Sequence, residues 1–492
     1  MEQERIIRLE DFFDFDSKEP INRLAYTEDD MKFKIKIIEK MKALGMEITL
    51  DKAGNICGTI SIGNHPQKTI AIGSHTDSVY DGGQFDGPVG VVVGLQTAEN
   101  LINSKKCTGI IKVPIYACEE SSRFGNACLG SKYLNGTITE EDFSSIVDQN
   151  ALKQGKTITL QEAIDFANSY LKEHVNGIQE VDKIFDTVDY SLEAHIEQYD
   201  SLKKAYKKSK QDIVGIINSI GSAVRIKYNV EGQSNHTGST PMKKRKNAVD
   251  ATAFIGKKVR KLGKCYEKQG LGRASQVEIN TPGHNGSFNQ IPNQANGLID
   301  FRLQGENTPK TVLEDFENIK QEVEAKTKTK IIPTVVSQGT PVVTSKELNQ
   351  KLAQICAQKG IQSIEMPSYP GQDTGYIPAK EKTMIFIPST GGSHNPEEHT
   401  KKKFIQPATT LFTQLSKEIL IEKFRDSQRV SITPKSSYES SHIPTSIVPS
   451  RSTPDENVLG WFDLCKIFFL DINLYTYIIS LNFYIWCKKG VR

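Results

Sequence analysis

The chain of 492 residues lacks several features that would narrow its function at once. Its eight cysteines are scattered and form no CxxC pair, which favours reduced thiols in a cytosolic protein over a disulfide framework. Its net charge is only +3, so it has little of the basic excess that nucleic-acid binding usually needs. The acidic first residues contain no apolar core of a signal peptide. We therefore expect a cytoplasmic protein that does not act on nucleic acid.

Several well-known catalytic motifs are also missing. The sequence contains no HExxH zinc-protease motif, no Walker A phosphate loop and no GxSxG nucleophile elbow. Its glycine pairs, at Gly82 and Gly391, lie in loops and do not form a dinucleotide fingerprint. Two lysine-rich runs, 203–210 and 243–246, are most simply explained as solvated loops. The chemistry must therefore be sought in residues that are dispersed along the chain.

The C-terminal end differs in composition from the rest. Residues 423–456 are rich in Ser, Pro and Thr, which is typical of a disordered linker. Within the hydrophobic tail, 457–492, the stretch 467–487 is about long enough to span a bilayer. However, it contains Asp471 and two asparagines, which are costly in hydrocarbon. A membrane anchor is thus the less favoured interpretation, and an appended segment without a chemical role is the alternative.

Strand-like runs alternate with helical patterns over most of the chain. The segments 68–73, 109–117, 190–196 and 382–388 are rich in β-branched and aromatic residues and predict strands. Between the first two, the spacing of apolar residues over 89–102 predicts a helix. Alternating strands and helices predict an α/β core around a mostly parallel sheet.

The middle of the chain shows a different pattern. From Gly215 the residues alternate as they do in antiparallel strands with one solvated face. A helical pattern and three more strand-like runs follow. We therefore expect a smaller α+β domain at 214–333. It is inserted into a catalytic domain that consists of 1–213 and 334–422.

Side chains with metal-binding chemistry follow four of the predicted strands. They are His75 and Asp77, Glu119 and Glu120, His195, and His394, with Asp86 at the start of the helix after the first strand. Because ligands bind outside the carboxyl ends of strands in an open parallel sheet, we expect these side chains to converge. Imidazole and carboxylate ligands suit Zn, Mn or Co, and a carboxylate can bridge two such ions. The sequence therefore predicts a site for two divalent cations.

Each of these residues, taken alone, has a simpler explanation. A lone buried histidine is more often a hydrogen-bonded core residue than a ligand, and a lone Glu-Glu pair is usually solvated surface. Their concurrence at strand ends favours the metal site. Two adjacent glutamates repel each other, which a division of labour between Glu119 and Glu120 would explain, with one of them as ligand and the other as general base. We expect Asp77 to orient the imidazole of His75 from behind.

Six stretches, in order along the chain, resemble those of a known family. They are GSHTDSVYDGGQFDGPVGV, EESSRFGNACLGS, AHIEQ, GQSNHTGSTPM, NQIPNQANGLIDFR and GGSHNPEE. With these stretches the chain resembles the hydantoinase/carbamoylase branch of the M20-type metallopeptidase superfamily. This branch includes N-carbamoyl-L-amino-acid hydrolases, one lineage of β-ureidopropionase, allantoate amidohydrolase and ureidoglycolate amidohydrolase. The resemblance covers residues from about 5 to 422.

The resemblance implies a role for each residue that matches a family motif. The implied metal ligands, for two divalent cations per subunit (Zn, Mn or Co, with Ni also allowed), are His75, Asp86 as the bridge, Glu120, His195 and His394. The implied catalytic residues are Glu119 as the general base and His236 as the group that polarises the substrate carbonyl. The implied substrate-binding residues are Gln198, Asn289 and Arg302. The resemblance also implies that the inserted α+β domain is ferredoxin-like and serves as a dimerisation and lid domain. In the homodimer so formed, His236 and Asn289 would reach the site of the other subunit.

Two positions depart from the family pattern. Tyr199 stands where relatives usually have Gly, and Gln372 stands where they usually have His. We expect an amidohydrolase that cleaves a linear carbamoyl or ureido compound carrying a carboxylate and releases ammonia and carbon dioxide, with the exact substrate left open. One alternative is an exopeptidase or acyl-amino-acid hydrolase on the same scaffold, which His195 disfavours because peptidases tend to have a carboxylate there. The other is a non-catalytic dimeric binding protein.

Overall fold

A computed structural model of the protein describes residues 5–64 and 66–421. The predicted linker, 423–456, and the predicted hydrophobic tail, 457–492, lie outside these residues. None of the helices within the described part has the length and apolarity that crossing a bilayer requires.

The described residues form helices and strands that alternate along the chain. The helices are α1 (Glu28–Ala43), α2 (Pro88–Ser104), α3 (Leu129–Leu134), α4 (Glu140–Phe143), α5 (Gln149–Lys153), α6 (Leu160–His174), α7 (Ser201–Ser209), α8 (Ala248–Gln269), α9 (Pro309–Thr327), α10 (Lys346–Lys359), α11 (Asp373–Tyr376) and α12 (Lys402–Leu420). The strands are β1 (Glu47–Asp51), β2 (Ile56–Ile62), β3 (Thr69–Ile72), β4 (Ser74–His75), β5 (Gly109–Tyr116), β6 (Ile178–Val181), β7 (Val188–Ile196), β8 (Ile213–Ile220), β9 (Ser222–Glu231), β10 (Gly272–Asn280), β11 (Gln294–Leu303), β12 (Lys330–Gln338), β13 (Val342–Val343), β14 (Gln362–Ser368) and β15 (Ala379–Ile387).

A large mixed sheet with a parallel centre forms the main layer. Its strand order is β13-β8-β15-β7-β3-β5-β2-β1-β6, with β14 beside β8 and β4 beside β5. The central strands β15, β7, β3 and β5 run parallel to one another. The helices α2 and α12 cover this centre, and Leu95 and Leu411 share a buried core with the strand residues Ile72 and Ile115. The predicted α/β class with a mostly parallel sheet is confirmed.

Helix α2 packs unusually close to the sheet because two of its residues have no side chain. A Cβ atom on Gly90 would lie 2.3 Å from the backbone oxygen of Ala194, and one on Gly94 would lie 2.3 Å from that of Ile72. Both contacts are far shorter than a carbon and an oxygen tolerate, so glycine is required at both positions. The close packing places the N-terminus of α2 directly against the ends of the central strands.

A smaller antiparallel sheet has its own hydrophobic core. Its strand order is β10-β11-β9-β12, and α8 and α9 cover one face. Val224, Ile226 and Phe301 point toward these helices and pack against Val259 and Phe316. Along β9 and β11 the buried residues alternate with partly exposed ones, as expected for strands with one solvated face.

The limits of the smaller sheet differ from the predicted limits of the inserted domain. The prediction placed the start of the insert at 214, but β8 is buried along most of its length and pairs with β13, β14 and β15 in the large sheet. At the other end, β12 continues to Gln338, five residues beyond the predicted end at 333. The strands of the smaller sheet therefore lie within 222–338. That this segment is an independent domain stays a prediction.

Candidate metal centre

Five predicted ligands converge at the carboxyl ends of the central strands. His75 ends β4, Glu120 follows β5, His195 lies near the end of β7, His394 lies in the loop after β15, and Asp86 precedes α2. They form two groups, His75 with Asp86 and His195, and Asp86 with Glu120 and His394. In each group the potential ligand atoms lie within 4.8 Å of one another. The two groups share Asp86.

Asp86 lies between the two groups with one carboxylate oxygen toward each. Its Oδ1 lies 2.8 Å from Nε2 of His195 and 3.8 Å from Nε2 of His75. Its Oδ2 lies 3.7 Å from Nε2 of His394, which in turn lies 3.1 Å from Oε1 of Glu120. A carboxylate with this placement can serve as a ligand in both groups. The nitrogen and oxygen donors present therefore fit two divalent ions.

Buried carboxylates crowd this centre. Burial and the neighbouring Glu120 raise the pKa of Glu119 well above its usual range. Burial also raises the pKa of Asp77 to about 8 and that of Glu398 to about 8. By contrast, burial lowers the pKa of His75 to about 3, so its imidazole is neutral, as a metal ligand must be. Cations at the centre would offset the repulsion among the carboxylates.

Asp77 lies behind the centre, but its carboxylate contacts a different group from the one predicted. Nδ1 of His75 lies 3.0 Å from the backbone oxygen of Asp77 and 3.7 Å from Oδ1 of its carboxylate. The carboxylate accepts hydrogen bonds from the backbone N–H groups of Glu119, at 3.2 Å, and Glu120, at 3.0 Å. It thus fixes the turn that begins at Cys118, whose φ of 54° lies in the left-handed region. The backbone oxygen of Asp77, rather than its carboxylate, orients the imidazole.

Glu398 is a supporting residue to which the sequence analysis gave no role. Its Oε1 accepts hydrogen bonds from the backbone N–H groups of Phe85, at 3.2 Å, and Asp86, at 3.0 Å. Its Oε2 lies 3.3 Å from Oγ of Ser393, which also donates to Oδ2 of Asp86. A Cβ on Gly83 would lie 2.3 Å from Oε1, so this site needs glycine there. The only sequence signal for Glu398 is its place at the end of the stretch GGSHNPEE.

Glu119 lies beside the ligand groups without belonging to either. Its Oε2 is 3.9 Å from Nε2 of His75. Its Oε1 accepts a hydrogen bond from the thiol of Cys128 at 3.3 Å. Cys128 is buried and was not predicted to have a role. Glu119 thus lies next to the centre, with one carboxylate oxygen bound by a thiol and the other on the side of His75.

A cavity of about 530 Å³ opens beside the centre. The large sheet contributes Glu119, Gln198 and Gln372 to its wall, and the smaller sheet contributes Arg225 and Arg302. Two of the predicted substrate-binding residues, Gln198 and Arg302, therefore face the space in which a substrate would bind. Gln372, at the position that departs from the family pattern, is buried, and its Oε1 has no hydrogen-bond partner among the described residues.

Two predicted residues, His236 and Asn289, lie away from this cavity. They are exposed neighbours on the smaller sheet's side of the chain, where the N–H of Thr237 donates to the backbone oxygen of Asn289 at 2.9 Å. Nδ1 of His236 accepts hydrogen bonds from the N–H groups of Gly238, at 3.0 Å, and Ser239, at 3.2 Å. Its Nε2 therefore carries the proton and is free to donate. Within one chain the structure does not bring these two residues to the metal centre.

The match to a family model agrees with this geometry. The model of Peptidase family M20/M25/M40 matches residues 71–418, which is more than half of the chain and includes every residue of both ligand groups. The chain belongs to this family. As an M20-family member it is a hydrolase that acts on carbon–nitrogen bonds, and the resemblance inferred from the six stretches is confirmed.

Relatives of similar length extend the comparison over most of the chain. An uncharacterised hydrolase of Haemophilus influenzae is 30% identical over 78% of this chain and 90% of its own length. An N-carbamoyl-L-amino acid amidohydrolase of Geobacillus stearothermophilus is 28% identical over 78% and 89%, and an allantoate amidohydrolase of Bacillus subtilis is 28% identical over 80% and 92%. The crystal structure of an amidase of the hydantoinase/carbamoylase family from Burkholderia multivorans matches with a TM-score of 0.67 at 24% identity, over 82% of this chain and 94% of that one. This last likeness concerns the fold.

Proposed function

We propose that this M20-family hydrolase cleaves a non-peptide C–N bond of a linear carbamoyl or ureido compound, and that the reaction depends on two divalent cations. The observation that carries the proposal is that two ligand groups share Asp86, while Oε2 of Glu119 lies 3.9 Å from Nε2 of His75 in one of these groups. Two relatives support the substrate class, because one is named for N-carbamoyl-L-amino acids and the other for allantoate. Both compounds carry a carbamoyl or ureido group together with a carboxylate.

The ligand groups would hold one cation each, with Asp86 as the bridge. His75 and His195 would complete the first site, and Glu120 and His394 the second. When bound, the two cations would polarise the scissile carbonyl and lower the pKa of a water molecule toward neutrality. Zn, Mn and Co fit this set of nitrogen and oxygen donors, and so does Ni.

Glu119 would carry the proton in this reaction. It would take a proton from the attacking water and deliver it to the leaving nitrogen. The thiol of Cys128 holds Oε1, which leaves Oε2, on the side of His75, to accept the proton. Products would be ammonia, carbon dioxide and an amine.

His236 would stabilise the negative charge that develops on the carbonyl oxygen. Its Nδ1 accepts hydrogen bonds from two backbone N–H groups, so Nε2 would donate the hydrogen bond to the carbonyl oxygen. Because His236 and Asn289 lie away from the cavity of their own chain, we propose that they act in the site of the other subunit of a homodimer. The inserted domain would form that dimer.

Arg302 would bind the substrate carboxylate through its guanidinium group, and Gln198 would contact the carbamoyl end. Both side chains line the cavity beside the metal centre. The carboxylate would then lie at the smaller sheet and the scissile carbonyl at the ends of the large sheet's strands. A small molecule with a carboxylate is therefore the expected substrate.

An ammonia-release assay tests this proposal. The full chain, loaded separately with Mn, Co or Zn, is incubated with allantoate, ureidoglycolate, β-ureidopropionate, N-carbamoyl-L-amino acids and a set of dipeptides. We expect ammonia from at least one carbamoyl or ureido compound and no cleavage of the dipeptides. Cleavage of dipeptides alone would favour an exopeptidase, and a protein unable to bind two equivalents of any metal would favour a non-catalytic role.

A further inference from the structure

One face of the smaller sheet carries an arginine that the proposed reaction does not yet use. Arg225 on β9 and Arg302 on β11 both line the cavity beside the metal centre. Asp300 lies directly across from Arg225 in the register of the two strands. It also lies two residues before Arg302, on the same face of β11, because side chains of a strand alternate between faces. The sequence pointed only to Arg302.

Asp300 accepts a hydrogen bond from the Nε atom of each arginine. Nε of Arg225 donates to Oδ1 of Asp300 at 3.2 Å, and Nε of Arg302 donates to Oδ2 at 2.6 Å. Within 5–64 and 66–421, neither guanidinium uses its Nη groups in a hydrogen bond. The two arginine side chains are 35% and 37% exposed. Each guanidinium is thus fixed in direction while its outer nitrogens are left for a ligand, the geometry that suits oxygen acceptors.

A third arginine and several polar groups continue this surface. Arg273 lies across from Arg302 in the strand register and lines an adjoining cavity together with it. Tyr369 packs under the guanidinium of Arg273, with 4.0 Å between the guanidinium carbon and the ring centroid. The other polar residues in the wall of the main cavity include Lys132, Asn126, Asn135, Thr137 and Gln372.

An aliphatic substituent placed against Arg225 would match it poorly. It would displace water from the free guanidinium donors without replacing the lost hydrogen bonds, and each such loss weakens binding. A substituent with acceptor oxygens would pair with the same donors. The two arginines therefore favour a substrate with more than one oxygen-bearing group, although apolar residues such as Ile220 and Val342 also line the cavity.

We propose that Arg225 is a specificity-determining residue that binds a second acceptor group of the substrate. The inference rests on the proposed function, in which the carbamoyl group lies at the metal centre and one carboxylate lies on Arg302. The second acceptor is a carboxylate or ureido oxygen on the carbon that bears the first carboxylate, or on the adjacent carbon. Carbamoyl compounds with such a group are therefore preferred over those with an aliphatic side chain.

The test compares substrates that differ in this group, using the metal-loaded full chain. Allantoate supplies a second ureido group, N-carbamoyl-L-aspartate supplies a second carboxylate, and N-carbamoyl-L-valine supplies neither. Arg225→Met keeps the aliphatic stem and removes the guanidinium. We expect it to raise KM about 10- to 100-fold for the preferred one of the first two compounds, the loss of one charge-assisted hydrogen-bonded pair. KM for N-carbamoyl-L-valine should change by less than about 3-fold, which is near the resolution of such comparisons.

Two further variants separate this role from a structural one. Lys227→Met removes a positive charge from the same face of β9, two residues along the strand and outside the cavity, and should leave all KM values unchanged. Arg225→Lys keeps the positive charge but not the paired N–H donors of the guanidinium, so its affinity should lie between those of Arg225→Met and the wild type. Thermal unfolding of each variant checks that the sheet is intact. Equilibrium titration of an Arg225→Met, Glu119→Gln double variant with N-carbamoyl-L-aspartate and N-carbamoyl-L-valine measures the same selectivity without turnover.

The outcomes are distinct. A selective rise in KM for allantoate or N-carbamoyl-L-aspartate supports the role of Arg225, and which of the two responds identifies the second acceptor as ureido or carboxylate. An equal change for all three compounds, or no change in a folded variant, overturns it. Wild-type protein that releases ammonia from none of the carbamoyl compounds would overturn the proposed function instead.

Discussion

The role of Glu398 can be tested by a substitution that leaves every metal ligand in place. Its carboxylate accepts hydrogen bonds from the backbone N–H groups of Phe85 and Asp86. It also contacts the hydroxyl group of Ser393, which donates a hydrogen bond to Asp86. Replacement by Ala removes all three contacts at a buried position. The bridging carboxylate of Asp86 would then lose the backbone support that fixes it between the two ligand groups.

The expected size of the effect follows from these contacts. Two buried N–H groups without acceptors cost about 1–3 kcal/mol each, so Glu398→Ala should lower the free energy of unfolding by about 2–6 kcal/mol. Groups that orient metal ligands typically contribute 10–100-fold to metal affinity, and we expect a loss within that range. Glu398→Gln keeps a carbonyl oxygen for the N–H groups and should lose less than about 10-fold.

Glu397→Ala is a matched control at the adjacent position. The side chain of Glu397 is 67% exposed and pairs with an equally exposed Lys18 at 2.9 Å. Because such surface pairs contribute about 0–1 kcal/mol, this variant should behave like the wild type. Metal affinity is measured by competition with a chromophoric chelator, and stability by urea unfolding of the loaded protein. A folded Glu398→Ala protein that binds both cations as tightly as the wild type would refute the reasoning.

Three other predictions follow from the same geometry. Glu119→Gln should retain both cations, by metal analysis, and lose about 100- to 10,000-fold in kcat, because a general base contributes that much. Asp86→Ala should bind at most one equivalent of metal after desalting, since both groups lose their shared ligand; two tightly bound equivalents would contradict the bridging role. Lys34→Met should lower the free energy of unfolding by about 3–5 kcal/mol, because it leaves buried Asp30 without the ammonium group that lies 2.9 Å away. Urea unfolding of Lys32→Met, an exposed lysine on the same helix, provides the comparison.

The sequence was informative about the metal centre because the relevant physics is simple. Parallel strands bring their carboxyl ends to one edge of a sheet, so residues at the ends of separate strands were expected to meet. His75 and His195 illustrate this, since their ring centroids lie 5.8 Å apart although they come from distant parts of the sequence. Next to them, Ser74 and Glu193 form a hydrogen bond across 119 positions. Strand-end position could be read without knowing any side-chain orientation.

The supporting contacts could not be predicted in the same way. Glu398 and the backbone N–H of Asp86 lie 312 positions apart, and their hydrogen bond depends on the path of a loop. No periodicity encodes such a path. Likewise, the two acceptor groups of Asp77, its carbonyl and its carboxylate, lie within one residue, and the sequence cannot tell which of them faces the imidazole of His75.

The start of the smaller sheet was placed too early for a different reason. β8 and β9 are separated only by Gly221, and both are rich in Ile and Val. The alternation of buried and exposed residues that marks one solvated face holds in β9, whereas β8 is buried on both faces. A run of β-branched residues predicts a strand in either case, and tertiary packing decides to which sheet the strand belongs.

The charges around the centre favour the binding of cations. Its buried carboxylates belong to Asp77, Asp86, Glu119, Glu120, Glu193, Asp373 and Glu398. The buried positive charge nearby comes from Arg23, from Lys34, which is paired with Asp30, and from His195, whose pKa is raised to about 9 because the attraction of Asp86 outweighs the effect of burial. Burying so many carboxylates beside so few positive charges is costly, so without cations several of them must take up protons, as the raised pKa of Glu119 indicates. Because protons and cations would compete for the same oxygens, we expect metal affinity to fall as the pH is lowered.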